Sequence, residues 1–127
     1  GSPHQVFVRH DLADMAAAMA SADLAVSAAG STLWELAFMG VPTLALVAAE
    51  GQRPAAAAYG AAGLGDVIDL LAADGEARLG PAIATLLGDA ERRRTIAARG
   101  RAAVDGQGAA RVCQRIEALL LKARAQA

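Results

Sequence analysis

One stretch decides the fold: residues 22–54 read ADLAVSAAGSTLWELAFMGVPTLALVAAEGQRP. It holds two short apolar runs, Leu24–Ser27 and Thr43–Val47, which are predicted strands. Between them, Thr32–Met39 has a helical pattern that ends at a Gly-Val-Pro sequence, a common helix stop. Thr43–Val47 carries no charge, as is typical of strands buried on both faces. A strand, helix and strand at this spacing predict two parallel strands joined by a helical crossover.

The same alternation extends on both sides of this stretch. Gln5–Arg9 and Asp66–Asp69 are predicted strands, and Leu12, Met15 and Met19 share one helical face. The remaining predicted helices are Arg53–Tyr59, Glu76–Leu87, Asp89–Val104 and Ala109–Ala125, the last with Val112, Ile116, Leu119 and Leu120 on one apolar face. The sequence therefore predicts an α/β fold: a Rossmann-like parallel sheet with flanking helices and a helix-rich carboxy-terminal third.

Composition limits the class of protein. With 127 residues, 55% hydrophobic and only 3% aromatic, the chain suits one domain with an aliphatic core, expected over residues 5–127. The net charge of −1 predicts no attraction of the whole molecule to nucleic acid or membrane. Residues 91–127 nevertheless carry 9 basic and 3 acidic side chains. Two interpretations stay open for this tail: solvated basic helices or a surface for a polyanion.

The termini and the single cysteine give further expectations. Gly1-Ser2 resembles a cloning scar, so residues 1–4 are expected to lie outside the domain. No signal peptide and no apolar run of about 18 residues is present, which predicts a cytoplasmic protein without a membrane span. Cys113 is predicted to be a small buried hydrophobic residue. Because no set of side chains has metal-ligand spacing, no bound metal is expected.

The loop between Leu24–Ser27 and the following helix is the most informative segment for function. Gly30 allows close approach to the backbone, and Ser31 and Thr32 offer hydroxyl groups beside the free N–H groups of a helix start. These features suit a phosphate group. Alternatively, Thr32 and Glu35 form a capping box, in which each side chain caps the backbone of the other. Neither a dinucleotide fingerprint nor a P-loop is present.

Two further loops follow predicted strands, and parallel strands place such loops at one sheet edge, where ligands bind. Glu50 and Gln52 are either ligands for sugar hydroxyls or part of an exposed turn. His10 beside Asp11 is compatible with acid–base chemistry or with two surface residues.

The order of these motifs resembles a known family. GSTLWE at 30–35, GVP at 40–42 and AEGQRP at 49–54 follow DMAAA at 14–18 and ADLAV at 22–26. Together they resemble the carboxy-terminal domain of GT-B nucleotide-sugar enzymes. The similarity is greatest to the UDP-diacetamido-trideoxy-altropyranose hydrolases of pseudaminic acid synthesis, which are related to the N-acetylglucosaminyltransferases that make lipid II. It covers residues 5–70 and is only generic in the helical tail.

The resemblance implies roles for particular residues. The position of Leu12 lies beside the uracil ring, Glu35 binds the ribose hydroxyls, and Gln52 contacts the sugar or its phosphate. Ser31 and Thr32, preceded by Gly30, match the helix start beside the pyrophosphate. Gly51 departs from the pattern, because the hydrolases have Asn at this position.

The function implied is binding of UDP or a UDP-sugar within a metal-independent hydrolase that needs no cofactor. Two alternatives stay open: the donor domain of a related glycosyltransferase, and a non-catalytic α/β interaction module. The family's catalytic base is a His of the amino-terminal domain that His10 does not match, so no catalytic residue is assigned and the chain alone is expected to be inactive. The family's first strands and glycine-rich loop are also missing. We therefore expect the amino-terminal domain as a partner, and self-association through an exposed sheet edge at Gln5–Arg9.

Overall fold

Three parallel strands and six α-helices make up the computed structural model, which describes residues 3–127; the predicted scar at Gly1-Ser2 lies outside the described residues. The predicted α/β class with flanking helices is confirmed. In chain order the elements are α1 (Met15–Ala20), β1 (Ala25–Ala28), α2 (Thr32–Met39), β2 (Thr43–Val47), a 3-10 turn (Glu50–Gln52), α3 (Arg53–Ala61), β3 (Gly65–Asp69), α4 (Gly75–Gly88), α5 (Ala90–Ala103) and α6 (Gly108–Ala125).

The sheet has the strand order β1-β2-β3, with β2 in the centre. Ala25 pairs with Thr43 and Thr43 pairs with Gly65, so the three strands begin and end almost level. Leu44 and Ala45 of β2 are both 0% exposed. The uncharged sequence of Thr43–Val47 therefore reflects a strand that is covered on both faces, as predicted.

Alternate residues of β2 build two separate parts of the core. Ala45 and Val47 pack with buried residues of α2 and α3, among them Leu33 and Tyr59. Leu44 lies on the other face, where it packs with residues of α4 and α5, namely Leu86 and Ile96. The two-residue period of a strand thus distributes the aliphatic side chains between two layers of helices.

Helix α5 packs directly on the crossover helix α2. At Gly100 a Cβ atom would lie 2.6 Å from the carbonyl oxygen of Ala37, so only glycine allows the two backbones to approach this closely.

Basic side chains of α5 also bind elsewhere in the fold. Arg92 forms an ion pair with Asp66, and Arg93 donates to the carbonyl oxygen of Leu86. Part of the basic carboxy-terminal charge is therefore used in holding the domain together.

The predicted strand at Gln5–Arg9 is wrong. This segment has no regular secondary structure, and Val6, Phe7 and Val8 are highly exposed. A strand forms only where its N–H and C=O groups pair with a neighbour, and no described strand pairs with this segment. The exposed sheet edge that was expected at Gln5–Arg9 therefore lies at β1 instead.

Helix α6 extends away from the rest of the described chain, since every one of its residues is exposed. The prediction that Cys113 is buried is wrong for the same reason: the thiol lies on this helix in solvent. Its helical pattern is confirmed over Gly108–Ala125. No helix within residues 3–127 combines the length and hydropathy needed to cross a bilayer.

Candidate functional site

The carboxyl ends of all three strands meet at one edge of the sheet. The Ala29 N–H donates to the Leu46 carbonyl oxygen at 2.8 Å, and the Leu70 N–H donates to the Val47 carbonyl oxygen at 2.9 Å. These bonds continue the sheet by one residue beyond β1 and β3. The loops that follow β1 and β2 are therefore neighbours, at the edge where open parallel sheets bind ligands.

The start of α2 is open at this edge. Ser31 and Thr32 are exposed, and their backbone amides donate no hydrogen bond to any residue of the described chain. A Cβ atom added at Gly30 would meet nothing within 4 Å, so the loop is uncovered at this residue. Together with the positive end of the helix dipole, two free amides and two hydroxyl groups suit an anion.

The alternative interpretation of this loop as a capping box is wrong. Thr32 is the first residue of α2 and not its cap; Ser31 takes the cap position with helical dihedral angles (φ −58°, ψ −30°) and makes no side-chain capping bond. A capping side chain needs an extended backbone to reach the amide three residues on. As a result, Glu35 is exposed and its carboxylate has no partner in the part of the chain described.

Leu12, which the resemblance places beside the uracil ring, does not line the groove that Met15 and Thr32 share. It lies three residues before α1, in an irregular exposed segment, and belongs to none of the buried clusters. Met15, at the start of α1, lines one groove together with Thr32. The structure therefore places the chain near Leu12 on the same side of the molecule as the start of α2.

Gln52 has a structural role that the sequence analysis missed. Its Oε1 atom accepts a hydrogen bond of 2.8 Å from the Ala48 N–H, which closes the loop after β2. The side-chain oxygen is therefore occupied, whereas the side-chain NH₂ group remains available to donate to a ligand. The four-residue spacing between Ala48 and Gln52 is the only signal in the sequence that could have indicated this bond.

An ion-pair cluster joins the ends of β2 and β3. Arg53 binds Glu50 through Nε and Oε2 at 2.6 Å and also binds Asp69, which is the last residue of β3. The Arg53 hydrogen bond lowers the pKa of Glu50. Partial burial raises the pKa of Asp69, but its bonds to Arg53 and to the Leu71 N–H lower that pKa overall. Glu50 was predicted as a sugar ligand or part of an exposed turn; it lies in the exposed 3-10 turn before α3, where it pairs with Arg53.

We expect this ion-pair cluster to make the folded chain less stable as the pH falls into the acid range. Folding lowers the pKa values of Glu50 and Asp69. Their contribution to the free energy of unfolding is therefore complete above the pKa values of the unfolded chain, about 4, and is lost as pH falls through the pKa values of the folded chain. Replacing Arg53 by Met should lower Tm by about 2 °C at pH 7, and by less below pH 4. Circular dichroism melts from pH 3 to pH 7 measure this difference.

Arg78→Met is the matched control, since Arg78 and Asp74 are 4.0 Å apart and both exposed. Its Tm should follow the wild-type curve at every pH. A constant difference between Arg53→Met and the wild type from pH 7 to pH 3 would contradict the role of the cluster.

His10 and Asp11 lie in the exposed irregular segment before α1. Asp11 has a positive φ of 50°, which is uncommon for a residue other than glycine. Within residues 3–127, no three His, Cys, Asp or Glu side chains come together as a metal site would need. The candidate site therefore consists of the α2 start, Glu35 and the loop that Gln52 closes.

Comparison with known proteins adds nothing to this assignment, because no protein-family model matches the chain and a search of curated proteins finds no match.

Proposed function

We propose that this chain binds the UDP part of a nucleotide sugar at the carboxyl edge of its sheet, within a GT-B-type hydrolase that acts on a diacetamido-trideoxy sugar nucleotide. In this proposal Ser31 and Thr32 bind the diphosphate, Glu35 binds the ribose hydroxyls and Gln52 donates to the sugar or its phosphate. The family resemblance of residues 5–70 supplies these roles. The chain is proposed to work in the cytoplasm.

The observation that carries the proposal is the unpartnered start of α2. The Ser31 and Thr32 amides donate to no residue of the described chain, and a Cβ atom at Gly30 would meet nothing within 4 Å. Amides that are already held by the helix pay no reorganisation cost when an anion arrives. Arg53 is occupied by two carboxylates, so the diphosphate would depend on these amides and hydroxyl groups rather than on a cation.

The chemistry follows from the charge that develops on the leaving group. As water attacks the anomeric carbon, the bond to the diphosphate oxygen breaks and negative charge collects on UDP. Aligned N–H groups stabilise that charge without a metal ion. None of the candidate site residues is assigned as the general base; we propose that the base comes from an amino-terminal domain and takes the proton from water. The products are UDP and the free sugar, whereas a glycosyltransferase would give a glycosylated acceptor.

Replacing Glu35 by Ala is expected to weaken UDP binding about tenfold to a hundredfold. A carboxylate that accepts hydrogen bonds from two ribose hydroxyls contributes about 1.5–3 kcal/mol. Isothermal titration calorimetry with UDP measures the affinity directly. The fold should be unaffected, because the Glu35 side chain is exposed and makes no bond in the described part of the chain.

Glu91→Ala is a suitable control, because Glu91 is an exposed carboxylate in the first turn of α5 and lies away from the candidate site. It should bind UDP as the wild type does. If the wild-type chain gives no heat with UDP, the proposed function is wrong; if Glu35→Ala binds UDP normally, the ribose assignment alone is wrong.

A further inference from the structure

Helix α6 carries an apolar surface that nothing in the described chain covers. On a helical projection seven of its apolar side chains fall within an arc of about 120°. These residues are Ala109, Val112, Cys113, Ile116, Leu119, Leu120 and Ala123. Ile116, Leu119 and Leu120 are more than half exposed. An apolar arc of this width is typical of a helix that packs against another surface.

A second uncovered apolar surface lies along β1, which is one of the two edge strands of the sheet. A groove of about 270 Å³ runs along β1 between α1 and α2 and is lined by Met15, Met19, Val26, Thr32 and Leu36, among others. Val26 is 44% exposed although it is central in a strand. Edge strands of this kind are commonly covered by a helix or loop in stable proteins.

The two surfaces have opposite charge. Helix α6 carries Arg111, Arg115, Lys122 and Arg124 against a single acidic residue, Glu117. The stretch that forms the groove, residues 14–36, contains three acidic side chains and no lysine or arginine. Two of the acidic residues, Asp14 and Glu35, directly precede Met15 and Leu36 of the groove. This complementarity favours α6 in the groove, whereas an antiparallel pair of α6 helices would bring their basic flanks together.

The helix and the groove also match in length. The arc from Val112 to Leu120 rises about 12 Å along the helix axis. The four residues of β1 extend about 13 Å. One face of α6 can therefore follow the full length of the open strand.

Helix α6 begins on the side of α2 that faces away from the groove of its own chain. Gly106 lies against the ring of Phe38, whereas Leu36 faces the groove, and these two α2 residues point about 200° apart around the helix. Arg111 in the first turn of α6 also pairs with Asp105 of the preceding loop. Helix α6 therefore leaves from the far side of α2.

From these observations we propose that α6 of one copy of this chain docks in the α1–β1–α2 groove of a second copy. Reciprocal exchange fills both grooves and closes the assembly as a symmetric dimer. Thr32 lines the groove and also belongs to the proposed UDP site. The docking proposal rests on the apolar and charged surfaces rather than on the Ser31 and Thr32 amides, so light scattering without UDP tests it separately.

Light scattering coupled to gel filtration tests the proposal on the full chain. The wild type is expected at twice the 12.8 kDa mass of one chain. The double variant Ile116→Glu/Leu120→Glu removes the docking face, and Val26→Glu blocks the groove, so each should be monomeric at the same concentration. Leu121→Glu is the matched control, because Leu121 lies on α6 outside the apolar arc and should leave the dimer intact. Raising NaCl from 50 to 500 mM should shift the wild type towards monomer.

Mixing the two monomeric variants separates loss of docking from loss of folding. The Val26→Glu chain still has an intact α6 and the double variant an intact groove, so an equimolar mixture should form a heterodimer through one contact. A monomeric wild type, a dimeric Val26→Glu variant or a mixture that stays monomeric would overturn the proposal. Maleimide cross-linking of Cys113 to Cys113 in the wild type, or flotation of the chain with phosphatidylserine vesicles as a monomer, would also overturn it, in favour of α6 pairing or a lipid surface.

Discussion

Replacing Ser31 by Pro is expected to lower the affinity for UDP about tenfold to a hundredfold while Tm changes by no more than about 2 °C. Proline lacks the N–H group, and a charge-assisted hydrogen bond to a phosphate contributes about 1.5–3 kcal/mol. The φ angle of Ser31 is −58°, which a proline ring adopts without strain. The Ser31 amide donates to no described residue, so the fold loses no internal bond. Calorimetric titration with UDP and thermal melts measure the two quantities.

Ser31→Ala is the control for this substitution. It removes the hydroxyl group but keeps the backbone amide, so its affinity for UDP should fall less than that of Ser31→Pro. If both variants bind UDP as the wild type does, the α2 start does not hold the diphosphate and the proposed site is wrong. If Ser31→Pro also melts far below the wild type, the amide has a structural role instead.

Replacing Gly100 by Ala is expected to cost about 2–3 kcal/mol of the free energy of unfolding, and to lower Tm by roughly 8–15 °C. The added methyl group would lie 2.6 Å from the Ala37 carbonyl oxygen and 3.1 Å from the Ala37 Cα, both of which are backbone atoms that cannot rotate away. Helix α5 would have to move away from α2 to make room. Urea denaturation measures the free energy directly.

Gly88→Ala provides the matched comparison in another helix. Gly88 is the last residue of α4, where a Cβ atom would meet nothing within 4 Å. Alanine loses less backbone entropy than glycine in a helix, so this variant should gain about 0.5–1 kcal/mol. Equal effects of the two substitutions would show that helix propensity, rather than the contact between α5 and α2, determines the result at Gly100.

Local patterns in the sequence were sufficient to predict those helices and strands whose own residues carry the signal. Residues 24–47 were predicted as strand, helix and strand, and the structure differs only by one residue at β1. The helices α4 and α5 were likewise placed within one or two residues. Each of these segments has an apolar period or a stop signal that is visible in its own residues, because side-chain spacing and backbone geometry are coupled within a turn or a strand.

The errors occurred where the outcome depends on a distant partner. The strand predicted at Gln5–Arg9 does not form because no neighbour pairs with it, although its residues favour extended structure. The capping box of Thr32 fails because the loop after β1 makes Ser31 the cap residue. Nothing local could indicate that Arg53 binds Asp69, since the two residues are 16 positions apart.

The sequence by itself therefore determined the α/β class, the order of most elements and the small-residue loop that precedes α2. Only the tertiary structure decided that the Ser31 and Thr32 amides stay unpaired, that Gln52 closes the neighbouring loop, that β1 is an open edge and that α6 and Cys113 lie in solvent. The physical reason is that periodicity is set by neighbours in the chain, whereas pairing and burial are set by residues that meet only after the sheet and its helices have packed.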